Sequence, residues 1–333
     1  MNTQTINWGI IGCGDVTEVK SGPAFNKVPN SKLVAVMRRN AGKAKDYAQR
    51  HNIEKWYSNA DELINDPEVN AIYVATPPLN HEEYALKVMK AGKPVYIEKP
   101  MALNYTSAEK IEQAAKEAGV KTVIAHYRRQ QPLFLKVKEL LEQKAIGDVR
   151  FVDLKMFQPH QSDIITKTEN NWRIDPSVSG GGLFYDLAPH QLDLMMYFFG
   201  KAKRISGISF NASGYYNADD TTGGQILFES NVLFNGSWCF TCYERKDHCE
   251  IIGSKGKISF SVFDHNPLVI EKEGEQEVIE FDKLQHVQQP MIQKVVEYFL
   301  ERSSNPCSTT EGVEVMKMMD SIAGKAETGY RNQ

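Results

Sequence analysis

A glycine turn wedged between a short apolar strand and the start of a helical stretch narrows the possible folds of this chain before anything else is considered. Residues 7–11 read as a strand, and Gly12-Cys13-Gly14-Asp15-Val16-Thr17 follows directly. Further short apolar runs at residues 32–37, 71–75, 94–97 and 121–125 alternate with stretches of helical periodicity. That alternation is the pattern of βαβ units, and strands without a polar face belong to a parallel sheet covered on both sides. Asn80 with Glu83 and Thr106 with Glu109 have the spacing of capping boxes, while Gly92 and Gly119 stand where C-terminal caps belong. Gly22-Pro23 predicts a kink or restart in the first helix.

Together these features predict an α/β N-terminal Rossmann domain with a parallel sheet over residues 1–125. A chain of 333 residues exceeds what one core usually holds, so residues 126–333 are expected to form a second domain. There the pattern changes. A helix at 133–143 precedes a strand at 150–158, a polar loop to Ser179 and a helix at 183–199. Successive β-rich runs then extend from Ile205 to Phe281, with hairpin-like connections at 229–231 and 253–256. This predicts an α+β C-terminal domain with a large, mostly antiparallel sheet, followed by helices at 290–302 and 309–325 that could pack on either domain.

In the glycine turn, Gly12 can make the tight bend and Gly14 lets backbone approach a pyrophosphate, with Asp15, Val16 and Thr17 opening the helix. A plain glycine turn is the alternative; the position between strand and helix favours dinucleotide binding. Where NAD-binding domains usually place a carboxylate on the ribose, the second strand ends in Met37-Arg38-Arg39-Asn40. Arg38 and Arg39 could grip a 2′-phosphate, which favours NADP and leaves NAD possible. Two solvated arginines at a strand end are the competing reading.

The balance of 39 basic and 42 acidic side chains, net −3, advertises neither a nucleic-acid nor a membrane partner. Five scattered cysteines suit a reducing compartment, and the N-terminus has no basic leader, so a cytoplasmic location is expected. Cys239, Cys242, His248 and Cys249 raise a metal site. A strand through residues 238–243 would send Cys239 and Cys242 to opposite faces, and no metal is expected.

Three motifs in order, the glycine turn, Glu98-Lys99-Pro100, and Gly180-Gly181-Gly182-Leu183-Phe184-Tyr185-Asp186-Leu187-Ala188-Pro189-His190-Gln191-Leu192-Asp193, resemble those of the Gfo/Idh/MocA oxidoreductases. That group includes glucose-fructose oxidoreductase and inositol dehydrogenases. The resemblance implies that Lys99 is the catalytic lysine, that Asp186 and His190 are the acidic residue and histidine of the substrate site, and that Trp172-Arg173 lie near the substrate. It also implies that Thr76, Pro77, Asn80 and His81 form the nicotinamide-side loop and that Glu98 and Lys99 touch the cofactor. Thr17 and Arg38 depart from the usual pattern.

Lys99 follows a strand end, where ligands of open α/β sheets bind, and Pro100 biases it toward extended backbone. Asp186 and His190 stand four residues apart on one helix face, with Asp193 close to it, although Pro189 would disturb a helix already under way. Oxidising a secondary alcohol requires its hydroxyl proton to leave, and His190 is the candidate base. Lys99 would stabilise charge on the same oxygen, and Asp186 would orient His190 or a substrate hydroxyl. A solvated lysine and a packing histidine are the bland readings, and a non-catalytic dinucleotide-binding sensor or scaffold is the other functional class. The polar loop 158–179, with His160, Gln161, Asp163, Asn170 and Asn171, suits a polyhydroxylated substrate such as a sugar, sugar derivative or cyclitol. One uncovered sheet face predicts a homodimer or homotetramer joined through the 205–281 sheet, also the family's habit.

Overall fold

The computed structural model describes residues 5–160, 162 and 171–325. The chain divides into two compact units, residues 5–128 with 284–313 and residues 129–283 with 314–325. The boundary therefore falls inside the helix Thr309–Ile322. The helix Gln289–Phe299 belongs to the first unit.

The first unit is built on β1 (Ile6–Ile11), β2 (Ser31–Met37), β3 (Lys55–Tyr57), β4 (Ala71–Val74), β5 (Val95–Ile97) and β6 (Thr122–Ile124). They pair in the order β3-β2-β1-β4-β5-β6, all parallel. Five match the strands read from sequence to within a residue. The sixth, β3, has three residues and leaves Trp56 partly exposed, too short and too polar to show a period. All of β4 is buried, as expected of a central strand with helices on both faces. Trp8 of β1 packs against Phe25 at 4.8 Å and Phe299 at 5.5 Å between ring centroids, which anchors the returning helix Gln289–Phe299 to this sheet. The first helix ends at Val19 and a second runs Gly22–Phe25, with Pro23 in its first turn. A restart therefore occurs where Gly22-Pro23 predicts it.

The capping boxes are corrected. Asn80 already has helical backbone as the last residue of a 3₁₀ turn, Pro78–Asn80, so it is not an extended cap and its side chain makes no cap bond. The helix Tyr105–Ala118 is capped by Asn104, which accepts from the Ser107 amide at 2.9 Å, rather than by Thr106. Gly119 does close that helix in the left-handed region.

The second unit carries β7 (Val149–Phe157), β8 (Ala202–Phe210), β9 (Thr221–Phe228), β10 (Leu233–Cys239), β11 (Lys246–Gly253), β12 (Gly256–Phe260), β13 (Leu268–Lys272) and β14 (Glu275–Ile279). Their order is β14-β13-β12-β11-β7-β10-β9-β8, antiparallel except for β7 with β10. One face is apolar: Val152, Leu154, Phe234, Trp238 and Ile251 are buried on it. The helix Leu183–Phe199 covers this face, with Phe184 edge-on to Trp238 at 5.0 Å. The opposite face bears Asp153 and Lys155, paired at 2.7 Å, and Glu250 and Lys257, paired at 2.9 Å. Ile208, Phe210 and Leu233 are exposed apolar residues in its β8–β10 part. Among the described residues no helix is long and apolar enough to cross a membrane.

Candidate active site

In the first unit the candidate residues gather at the carboxyl ends of β1, β2, β4 and β5. Gly12 has φ +94°, and a Cβ there would stand 2.8 Å from the Thr76 amide nitrogen, so only glycine fits. Its own amide and that of Cys13 both donate to the Met37 carbonyl, tying the turn to the end of β2. Gly14 is different: a Cβ would meet nothing of the protein closer than 3.9 Å. No packing demands glycine there, and the open edge has room for an outside group. Thr76 lines the same turn, and its buried hydroxyl oxygen has no hydrogen-bond partner. An open glycine edge and an orphaned hydroxyl beside it fit the diphosphate and adjoining groups of a dinucleotide.

Asp15 is exposed and Val16 half-buried. Thr17 is fully buried and bonds back to Gly14 through its hydroxyl at 2.7 Å, so it holds the turn instead of facing a ligand. Arg38 lies across the turn, its guanidinium donating to the Cys13 carbonyl at 3.4 Å, while Arg39 is exposed.

Lys99, half-buried, follows β5. The carboxylate of Glu98 beneath it is 4% exposed and fully engaged. Tyr73 donates to Oε1, Gln288 Nε2 donates to the same oxygen at 2.6 Å, and the Lys99 amide donates to Oε2 at 3.0 Å. Glu98 thus fixes the backbone of Lys99 from below. Burial raises the Tyr73 phenol well above its usual range, so it stays a donor. Tyr73 and Gln288 are functional neighbours that the sequence analysis does not single out; Gln288 lies 190 residues from Glu98.

His81 is fully buried, with Nδ1 2.9 Å from the Pro100 carbonyl and Nε2 2.7 Å from that of Thr76. Burial pushes its pKa down to about 4, so near neutral pH the ring carries one N–H between two carbonyls. It staples the segment after Lys99 to the loop of Thr76, Pro77 and Asn80. Those three residues are half-buried.

In the second unit Gly180-Gly181-Gly182 leads into the helix Leu183–Phe199, which continues through Pro189 without a break. At Gly182, with φ +79°, a Cβ would come 2.5 Å from that of Ala218. The three polar residues expected on one face have different surroundings. Asp186, 16% exposed at its side chain, accepts from Arg173 Nε at 3.1 Å, and the Arg173 guanidinium lies 4.5 Å over the Trp172 ring. Trp172, Arg173 and Asp186 therefore form one cluster. His190 is 4% exposed, its ring edge-on to Phe263 at 5.5 Å. Asp193 is turned away to a buried pairing with Arg129, both of whose nitrogens Nε and Nη2 reach its carboxylate at 2.7–3.0 Å. The charge of Asp193 is thus already matched by a guanidinium.

The strand expected through residues 238–243 is also corrected. β10 ends at Cys239, and the chain turns there. Gln161, Asp163 and Asn170 lie outside the described residues; His160 is exposed and stacks on Tyr215 at 4.3 Å. A cavity of about 500 Å³ on the sheet's polar face, lined by Asp153, Lys155, His248 and Glu250 among others, holds none of the candidate cofactor, substrate or catalytic residues.

Residues 6–126 match the model of an oxidoreductase family with an NAD-binding Rossmann fold, and residues 134–259 match the GFO/IDH/MocA C-terminal domain. Oxidoreductase P35 of Formosa agariphila is 47% identical over 96% of this chain and 98% of its own length. A 1,5-anhydro-D-fructose reductase of Ensifer adhaerens is 27% identical, covering 75% and 74%. The fold is shared with aldose-aldose oxidoreductase from Caulobacter crescentus at a TM-score of 0.86, 21% identity and coverage of 98% and 99%. A glycine turn open to a dinucleotide, a buttressed Glu-Lys-Pro, a second unit with its helix and eight-stranded sheet, and two matching family models lead to one conclusion: the chain belongs to the GFO/IDH/MocA oxidoreductases.

Proposed function

We propose that this protein transfers hydride between a nicotinamide dinucleotide and a secondary alcohol or ketone of a sugar, sugar derivative or cyclitol. The observation that carries the reading is Lys99, held at the carboxyl end of β5 by a buried carboxylate whose oxygens are both occupied. A lysine needed only for solubility has no use for such an anchor. The relative from Ensifer adhaerens, named for a sugar-derived substrate, supports the substrate class.

Gly12, Gly14, Asp15 and Val16 hold the cofactor's diphosphate on the turn that Thr17 keeps in shape, and the loop of Thr76, Pro77, Asn80 and His81 with Glu98 and Lys99 shapes its nicotinamide side. When bound, the nicotinamide supplies or accepts the hydride. Lys99 stabilises negative charge on the reacting oxygen. His190 takes the hydroxyl proton during oxidation and returns it during reduction. Asp186, with Trp172 and Arg173, orients the substrate's other hydroxyls. No metal enters this scheme.

NADP is the preferred cofactor, because Arg38 is held over the glycine turn and no carboxylate stands at the strand end to repel a 2′-phosphate. One charge-assisted contact of about 1.5–3 kcal/mol corresponds to roughly 10-fold to 100-fold discrimination. The test binds NADPH and NADH by fluorescence, then follows nicotinamide absorbance with a panel of aldoses, anhydrosugars and cyclitols. Turnover with one panel member is expected, together with tighter NADPH binding that Arg38→Asp reverses. Cofactor binding without turnover across the panel would favour a sensor, and equal affinities would release Arg38 from its role.

The exposed Ile208, Phe210 and Leu233 on the open sheet face support pairing of subunits through it. Light scattering at micromolar concentration is expected to give a dimer or tetramer; a monomer would count against this interface.

A further inference from the structure

We infer that Cys239 and Cys242 form a reversible dithiol–disulfide site, a modification distinct from the proposed hydride transfer. The backbone places them together. Gln158, just beyond β7, donates its amide to the Cys239 carbonyl at 2.8 Å and accepts at its own carbonyl from the Cys242 amide at 3.0 Å. In an uninterrupted parallel ladder the second bond would return from residue 241, two places after the first partner, and both partners would share a face. Here one extra residue is inserted, as in a β-bulge, so Cys242 takes the place of residue 241 and joins Cys239 on its side.

The side chains agree with that register. The Thr221 and Thr241 hydroxyls lie 3.7 and 3.9 Å from Cys239 Sγ, within reach of a thiolate. Cys242 is close enough for each thiol to set the other's acidity: the Cys242 thiol and the threonine groups overcome burial to hold Cys239 below its usual range, and burial and the Cys239 sulfur push Cys242 up to about 12. One cysteine is thus poised to attack and its neighbour to resolve. Both are partly accessible, whereas Cys13, Cys249 and Cys307 are fully buried.

The oxidant is a low-molecular-weight disulfide such as oxidised glutathione. The Cys239 thiolate attacks one of its sulfurs, the reagent's S–S bond breaks, and the first glutathione thiolate leaves and takes up a proton. Cys242 then loses its proton and attacks Cys239 Sγ in the mixed disulfide, expelling the second glutathione thiolate, which is protonated in turn. Two protein thiols become one disulfide, and one glutathione disulfide becomes two thiols.

The test incubates the full-length protein with oxidised glutathione, blocks free thiols with iodoacetamide under native and then denaturing conditions, and maps the cysteines by peptide mass. A Cys239–Cys242 disulfide that dithiothreitol removes is expected in the native chain, with the three buried cysteines alkylated only after denaturation. Cys242→Ser should accumulate a glutathione adduct on Cys239, and Cys239→Ser should form neither adduct nor disulfide. A native chain whose two thiols stay alkylatable after oxidant, or one whose disulfide joins a different pair, would overturn the assignment without reference to the variants. An adduct that accumulates on Cys239 equally with and without Cys242 would overturn it too, by removing the resolving thiol.

Discussion

Replacing Lys99 with alanine is expected to lower turnover by on the order of 10²-fold or more while leaving cofactor affinity nearly unchanged, and His190→Ala should do the same. The two effects have different physical origins. Lys99 supplies positive charge where charge develops on the reacting oxygen, so its loss removes a stabilisation felt mainly in the transition state. His190 supplies a place for a proton, so its loss should also flatten the pH dependence of turnover. Steady-state kinetics together with independent cofactor titration separates the cases. Near-normal turnover in either variant removes that residue from the mechanism, and a loss of cofactor binding equal to the loss of turnover would reassign it to the cofactor. Full activity after exhaustive chelation is expected alongside, because the scheme uses no metal.

The anchoring of Lys99 shows what could and could not be read from sequence. Strand ends, the glycine turn and the Glu98-Lys99-Pro100 triplet are local: each is specified by neighbours a few residues away, and each lies where the pattern of apolar runs puts it. Tyr73 and Gln288, which together saturate one oxygen of Glu98, come from another strand and from a segment 190 residues distant. Only the chain's return after residue 284 brings Gln288 there, and a glutamine in a polar stretch carries no periodic or motif signal. Thr17 and His81 were legible as candidates for the cofactor loops. Their burial was not, because a polar residue facing inward to hold a loop looks in sequence the same as one facing outward to hold a ligand.

The cysteine pair failed to be read for a related reason. Alternation along a strand assigns Cys239 and Cys242 to opposite faces with complete regularity, and one inserted residue reverses the answer. Nothing in Phe240-Thr241 announces the insertion; it is visible only in which carbonyl and which amide Gln158 chooses. The helix Leu183–Phe199, by contrast, is legible to the residue, since its apolar content and flanking glycines are so strong that Pro189 does not end it.

That helix also bears the site of the largest expected loss of stability. Asp193 and Arg129 are 1% and 2% exposed at their side chains, and the carboxylate receives both Nε and Nη2 of the guanidinium. Two charges withdrawn from water cost several kcal/mol each, and their attraction offsets that cost only while both are present. Asp193→Asn leaves Arg129 buried with a neutral partner and is expected to destabilise the second unit by about 3–5 kcal/mol. The Tyr197 ring, 5.2 Å from the guanidinium, relieves part of it, since a desolvated cation over an aromatic face is worth on the order of 2 kcal/mol. Removing both charges should do less harm than removing one: Arg129→Met combined with Asp193→Leu leaves no stranded charge and fills the space with apolar side chains. The urea midpoints of wild type, single variant and double variant give the answer, provided the transition of the second unit is followed by a tryptophan it contains, such as Trp238, since two units need not unfold together. A single variant within about 1 kcal/mol of wild type would mean that water reaches Arg129 freely enough to solvate it. A double variant worse than the single one would mean that the pair's geometry, and not its charge balance, holds the helix in place.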